Sequence, residues 1–159
     1  MKSLISFLIF FATSAAFAWP HVGQSRRMAT SFFGSEETVS GFETLETVVG
    51  INDQTDVMQI STVMIDQHGT NSYTNESPYK QTVSAVQTVL SKCSGHGGTS
   101  QTITVPAGTF KTCKLINKSD TSKSEIWYAA VLFGYVKFRF TNLQNGLGHE
   151  SNLISHSGN

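Results

Sequence analysis

Apolar residues in this chain recur mainly at every second position, the period of a half-buried strand. Residues 39–51, VSGFETLETVVGI, carry Leu45, Thr47, Val49 and Ile51 at alternate positions and predict a strand. Asn52-Asp53 marks a turn. Residues 56–66, DVMQISTVMID, predict a second strand, with Met58, Ile60 and Met64 on one face and Val57, Val63 and Ile65 on the other. Apolar residues on both faces predict a central strand with something covering its outside. A turn at 68–71 follows. The period then changes. In 79–93, YKQTVSAVQTVLSKC, Val83, Val86, Val89 or Leu90, and Cys93 recur at spacings of three and four, the stripe of an amphipathic helix. Pro78 suits the entry to that helix, and Gly95 or Gly97-Gly98 suits its end. Its β-branched residues make it weak by propensity alone, so it needs a sheet to lie on.

Alternation resumes in QTITV, 101–105. Pro106 fixes its own φ and has no N–H to give to a ladder, so the strand stops there. Pro106-Ala107-Gly108 fits a turn with proline in its second position. The chain returns as TFKTCKLI, 109–116, with Cys113 and Leu115 on one face. This hairpin carries Cys113 back toward the end of the helix. A polar turn at 117–122 leads to a strand at 124–130. Residues 131–141, VLFGYVKFRFT, set Val136, Phe138 and Phe140 against Lys137, Arg139 and Thr141. Gly134 interrupts this run and marks a bulge or a close approach of backbone. Asn145-Gly146 is a hairpin turn, with a last short strand near 151–155. Residues 19–30, with Trp19, Pro20 and the pair Arg26-Arg27, read as an irregular or fraying arm. The pattern totals seven or eight strands and one helix: α+β, mainly β, an antiparallel sheet with a helix on one face.

The first eighteen residues follow a different logic. Lys2 precedes an apolar run from Leu4 to Ala12, and Ala16-Phe17-Ala18 matches a small-residue cleavage site. This reads as a secretory signal peptide, residues 1–18, too short in its apolar part to span a bilayer. The mature chain would be a single secreted domain, residues 19–159, with no transmembrane segment. Cleavage removes one lysine and leaves ten basic and eleven acidic residues. So balanced a charge gives no electrostatic footprint for nucleic acid. Cys93 and Cys113 form an even pair in an exported chain, which reads as a disulfide closing a loop of nineteen residues. The alternative is two free, buried thiols.

Candidate chemistry is sparse. His96-Gly97-Gly98 echoes an esterase oxyanion loop, but the chain has no G-x-S-x-G elbow. A glycine loop ending a helix explains it better. Five histidines, at 21, 68, 96, 149 and 156, show no metal-ligand spacing. Asp66 and His68 are explained by a strand end and turn. Asn75-Glu76-Ser77 and Asn117-Lys118-Ser119 are formal N-glycosylation acceptors, relevant only in a eukaryotic host. These observations point to no enzyme, no cofactor and no metal.

VPAGTFKTCKL, 105–115, followed by EIWYAAVLFGYVKF, 125–138, resembles a pattern of uncharacterised secreted bacterial proteins. Cys93 with Gly97-Gly98 belongs to the same pattern. The resemblance spans residues 93–138 and links the chain to the curved half-barrel sheets of LolA/LolB-like lipoprotein carriers. It implies a structural role for Pro106 and Gly108 in the turn, Gly134 in a bulge and Trp127 in the core. It also implies a periplasmic or extracellular location. The aromatic residues Trp127, Phe133, Tyr135, Phe138 and Phe140 then have two readings. They are simple core, or they line a concave face that takes an apolar or lipid-like ligand. The expected partner is an apolar small molecule or another envelope protein. The second functional reading is a structural or interaction domain at the cell envelope.

Overall fold

The computed structural model describes residues 20–34 and 41–157. The expected signal peptide lies outside these residues. Among the described residues, nine strands form one open antiparallel sheet in the order β4-β3-β2-β1-β9-β8-β7-β6-β5. In chain order they are β1 (Ser25–Phe33), β2 (Phe42–Asn52), β3 (Val57–Asp66), β4 (Gly69–Pro78), β5 (Thr99–Val105), β6 (Gly108–Lys118), β7 (Ser122–Tyr128), β8 (Tyr135–Asn142) and β9 (Gly148–His156). An α-helix, α1 (Tyr79–Ser91), joins β4 to β5 by way of a short 3₁₀ turn, Ser94–His96. The sheet is curved and not closed, as expected for a half-barrel.

The helix follows its apolar stripe. Tyr79, Val83 and Val86 are buried along it, and Pro78 precedes it in extended conformation. α1 lies against β6, β7 and a second 3₁₀ turn, Leu132–Gly134. Cys93, just past the helix, is bonded to Cys113 on β6, with Cα atoms 5.6 Å apart. The expected staple is therefore present. Gly98 lets the chain pass closely over it: a Cβ there would sit 2.7 Å from Cys113 Sγ and from Leu115 Cδ2.

Two buried clusters hold the layers together. In one, Val48, Met58 and Ile60 from β2 and β3 meet Tyr79 of the helix, with Leu132 and Phe133 packed against them. In the other, Met28, Val136 and Leu153 join Val105, Trp127, Ala129 and Val131. The turn between β5 and β6 reaches back across the sheet, where the Ala107 N–H donates to the Leu153 carbonyl at 3.1 Å.

Several expectations are corrected. Residues 25–33 are no fraying arm but β1, paired to β2 on one side and β9 on the other. Its inward positions include Arg26, a residue type that signals solvent in a sequence, yet here the side chain is 4% exposed. β4 carries no strand pattern in the sequence because almost every residue in it is exposed and polar. Leu45, Thr47, Val49 and Ile51 do not share one buried face. A bulge between Val48 and Gly50 shifts the register, so Val48 opposes Ile60 while Ile51 opposes Met58. Val48 is fully buried and Val49 is exposed. β3 has partners on both sides, but its second face is not covered throughout, since Ile65 is exposed. The strand expected from Val131 begins at Tyr135. The chain leaves the sheet at Ala129 and returns through Leu132–Gly134. Gly134 has φ +79°, and a Cβ there would collide with Val86 of the helix, so the close approach is real. The last strand is a nine-residue central strand, not a short one.

Candidate functional site

Strand pairing places a continuous row of side chains across six strands of the helix-bearing face. Phe42 opposes Thr30, Thr30 opposes Ser151, and Ser151 opposes Phe138. Phe138 opposes Ile126, and Ile126 opposes Leu115. Directly opposed residues on antiparallel strands project from the same face, and Leu115 shares its face with the stapled Cys113. The next row outward contains Phe32, His149 and Phe140, again in direct register. The next row inward contains Met28 opposite Leu153, both buried. Along these strands, the face thus runs from closed core to a partly exposed aromatic shelf.

His149 is the hub of that shelf. Phe140 stacks on its imidazole with centroids 5.7 Å apart. Phe138 lies 5.6 Å from it and Phe32 lies 6.2 Å from it. Phe42 extends the cluster, 6.1 Å from Phe32. Such tilted and offset ring pairs add to the gain from apolar burial. In the middle of the row Thr30 and Ser151 hydroxyls bond to each other at 2.7 Å. That bond satisfies both groups locally and leaves the surrounding surface apolar in character. Phe32 is 41% exposed, while Phe42, Phe138, Phe140, Ile126 and Leu115 are partly buried. The shelf is therefore accessible yet rigidly held by strands.

Of the five aromatic residues singled out from sequence, only Phe138 and Phe140 belong to this shelf. Tyr135 and Phe133 instead hold Arg26. The Arg26 guanidinium lies 4.2 Å from the Tyr135 ring centre and 4.7 Å from that of Phe133. It donates from Nε to Glu46 at 2.6 Å and from Nη2 to the Tyr135 hydroxyl at 2.9 Å. Trp127 is buried in the cluster with Met28, Val136 and Leu153. It opposes both Lys114 and Lys137, and their ammonium groups sit 4.6 Å and 5.3 Å from its ring. Phe32, Phe42 and His149 were not singled out in sequence. Their alternation on β1, β2 and β9 is masked by polar neighbours, and only pairing brings them to Phe138.

The opposite face is charged. Glu125 binds Lys114 at 2.5 Å and Lys123 at 3.1 Å. Glu150 binds Lys137 at 2.8 Å and Arg139 at 3.7 Å. Burial alone would push both carboxyls up, but the lysine hydrogen bonds, together with Asn152 at Glu150, outweigh it and hold both below the ordinary carboxylate value. At the start of α1, a hydrogen bond to Asp53 is the main reason the Tyr79 hydroxyl is pushed up to about 12.

Other candidate groups have structural roles. The Asp66 carboxylate accepts the backbone N–H groups of His68 and Gly69, which closes the β3–β4 turn. His96 ends a 3₁₀ turn, and Gly97 after it is left-handed. Among the described residues, no group of three or more His, Cys, Asp or Glu side chains is placed to hold a metal ion. Nor is any helix among them long and apolar enough to cross a membrane.

Comparison with known proteins places the architecture. No protein-family model matches the sequence, and no curated protein matches it. Solved structures do share the fold. A protein named as a lipoprotein from Parabacteroides distasonis superposes with a TM-score of 0.56 at 13% identity, covering 89% of this chain and 98% of the other. A protein named as exported, with a YmcC-like fold, from Bacteroides fragilis gives 0.50 at 10% identity, covering 87% and 97%. MucB, solved in complex with MucA(peri), gives 0.51 at 8% identity, covering 86% of this chain and 50% of MucB. The chain thus corresponds to about half the length of MucB.

Proposed function

We propose that this chain is a non-catalytic, exported envelope protein that takes an apolar, acyl-like group on the aromatic shelf. The observation that carries this reading is the row from Phe42 through Phe138 to Leu115, bordered by Phe32, His149 and Phe140. Six strands spaced about 4.8 Å apart make this row roughly 24 Å wide. A ligand lying along it contacts aromatic and aliphatic side chains on both sides of the mutually bonded Thr30 and Ser151 hydroxyls. Each methylene removed from water contributes about 0.8 kcal/mol. Ten such groups supply about 8 kcal/mol, the scale of micromolar affinity before ordering costs are subtracted.

Three further observations support the reading. The resemblance of residues 93–138 to LolA/LolB-like sequences associates this sheet with lipoprotein carriage. The structures that share the fold include proteins named as a lipoprotein and as an exported protein, which fits export to the periplasm or beyond. Both cysteines are joined to each other, so neither serves as a thiol nucleophile.

Native mass spectrometry of protein purified from its own host tests the proposal. The expected result is an added mass that organic solvent extracts and that matches an acyl-bearing molecule. A spectrum with only the bare chain, under conditions that preserve non-covalent complexes, counts against it.

A further inference from the structure

A second feature lies away from the aromatic shelf. β6 is longer than the strand beside it. Its pairing with β7 runs from Lys118↔Lys123 to Cys113↔Tyr128 and stops there. Its pairing with β5 continues to Gly108. Gly108–Thr112 are therefore strand on one side and free edge on the other. Where β7 would have continued, the chain turns away instead: the Ala129 N–H bonds to the Gly134 carbonyl, and the Val131 N–H to the Ala129 carbonyl.

Beside this edge lies a cleft of about 760 Å³, which Ser100, Gln101 and Thr102 of β5 also line. Leu90 of α1, Phe110 and Lys111 of β6, Ala130 and Val131 of the departing loop, and His156 at the end of β9 line it. In an antiparallel strand, alternate residues direct both N–H and C=O to the same side. Some of those in Gly108–Thr112 thus aim backbone donors and acceptors into the cleft. Backbone polar groups of this kind demand partners. Five residues of strand span about 17 Å, which matches an extended segment of similar length. The side-chain charge is one-sided as well. Lys111 contributes an ammonium group, and no Asp or Glu is among the described residues that line the cleft.

We propose that this cleft binds an extended peptide segment, added as a strand to the free edge of β6 and carrying an acidic side chain opposite Lys111. Backbone hydrogen bonds would supply most of the affinity. The small side chains of Ala129 and Ala130 leave room for alternate side chains of the peptide, as in other cases of strand addition. Lys111 then selects for a carboxylate. This site is separate from the aromatic shelf, so a peptide and an apolar ligand would not compete.

The test is selection of peptides from a displayed library of random heptapeptides against the wild-type protein. Synthetic forms of the selected sequences are then measured by fluorescence anisotropy. The expected peptides contain an acidic residue and strand-forming residues. N-methylation of alternate amides should weaken binding at least tenfold, while methylation of the amides between them should be tolerated. Lys111→Glu, a change at an exposed position, should also weaken binding at least tenfold. The proposal is overturned if no peptide is selected, if binding is indifferent to Lys111→Glu, or if every singly N-methylated peptide binds alike.

Discussion

Phe140 and His149 stack across the β8–β9 pair, with ring centres 5.7 Å apart and planes inclined by 26°. Neither ring is fully buried. A stacked pair in this position stiffens the outer row of the sheet without closing it. The same strands hold Leu153 and Val136 fully buried a few residues away. Core and accessible shelf are thus two stretches of one surface, separated by distance along the strands and by where α1 and the Leu132–Gly134 turn lie.

The disulfide should contribute strongly to stability. Cys93 sits beyond a helix with no side-chain cap and with β-branched residues along its length, and Cys113 anchors it to β6. Cys113→Ala should lower unfolding free energy by about 2–5 kcal/mol, the usual cost in small exported domains. Urea melts of the wild-type and variant proteins measure it. Non-reducing peptide mapping should recover the Cys93 and Cys113 peptides linked.

Arg26 should be a sensitive charge. It is 4% exposed and depends on Glu46, itself only one-fifth exposed. Glu46→Gln leaves the guanidinium buried without its counter-ion and should cost about 3 kcal/mol. Arg26→Met with Glu46→Leu removes both charges and keeps apolar volume, and should recover much of that loss. Thermal denaturation of the three proteins checks the pair.

Stability should decline in acid for a stated reason. Glu125 and Glu150 titrate below their ordinary value of 4.5 in the folded protein. Their contribution is complete above that value and is lost as pH falls through it toward the folded pKa, because the unfolded chain binds protons first. Glu125→Gln should lower stability at pH 7 by about 1–2 kcal/mol, the scale of charge-assisted hydrogen bonds that are partly open to water. It should also flatten the dependence on pH below the ordinary value of 4.5. Urea midpoints measured across that range test both.

Much of the sheet was legible because alternation and turn residues agree. Pro106 with Gly108, and Asn145-Gly146, mark hairpins that the structure contains. The helix was legible from a change of period, and the staple from an even pair of cysteines behind an expected signal peptide. What escaped reading did so for physical reasons. β1 buries Arg26 and Thr30 where a strand usually buries aliphatic residues. β4 buries almost nothing, so no pattern is written into it. The Val49 bulge moves side chains from one face to the other, and composition alone does not reveal it. Within the candidate site, Phe138 and Phe140 stood out because Lys137 and Arg139 alternate with them. Phe32, Phe42 and His149 are far from these in sequence. Their role emerges only from the register of β1 with β2 and β9.

The central claim is that the aromatic shelf binds an apolar chain, and the most direct measurement is titration of the folded protein with a fluorescent fatty-acid probe. Wild-type protein should bind saturably. Phe138→Asp and Phe32→Asp should each weaken binding at least tenfold, about 1.4 kcal/mol or more, in samples whose circular dichroism matches the wild type. Phe32 is well exposed, so its variant should fold even where Phe138→Asp does not. Arg139→Ala, on the charged face, should leave binding unchanged. If folded wild-type protein binds no apolar probe, or if the folded Phe32→Asp protein binds as tightly as wild type, the shelf is not a ligand site.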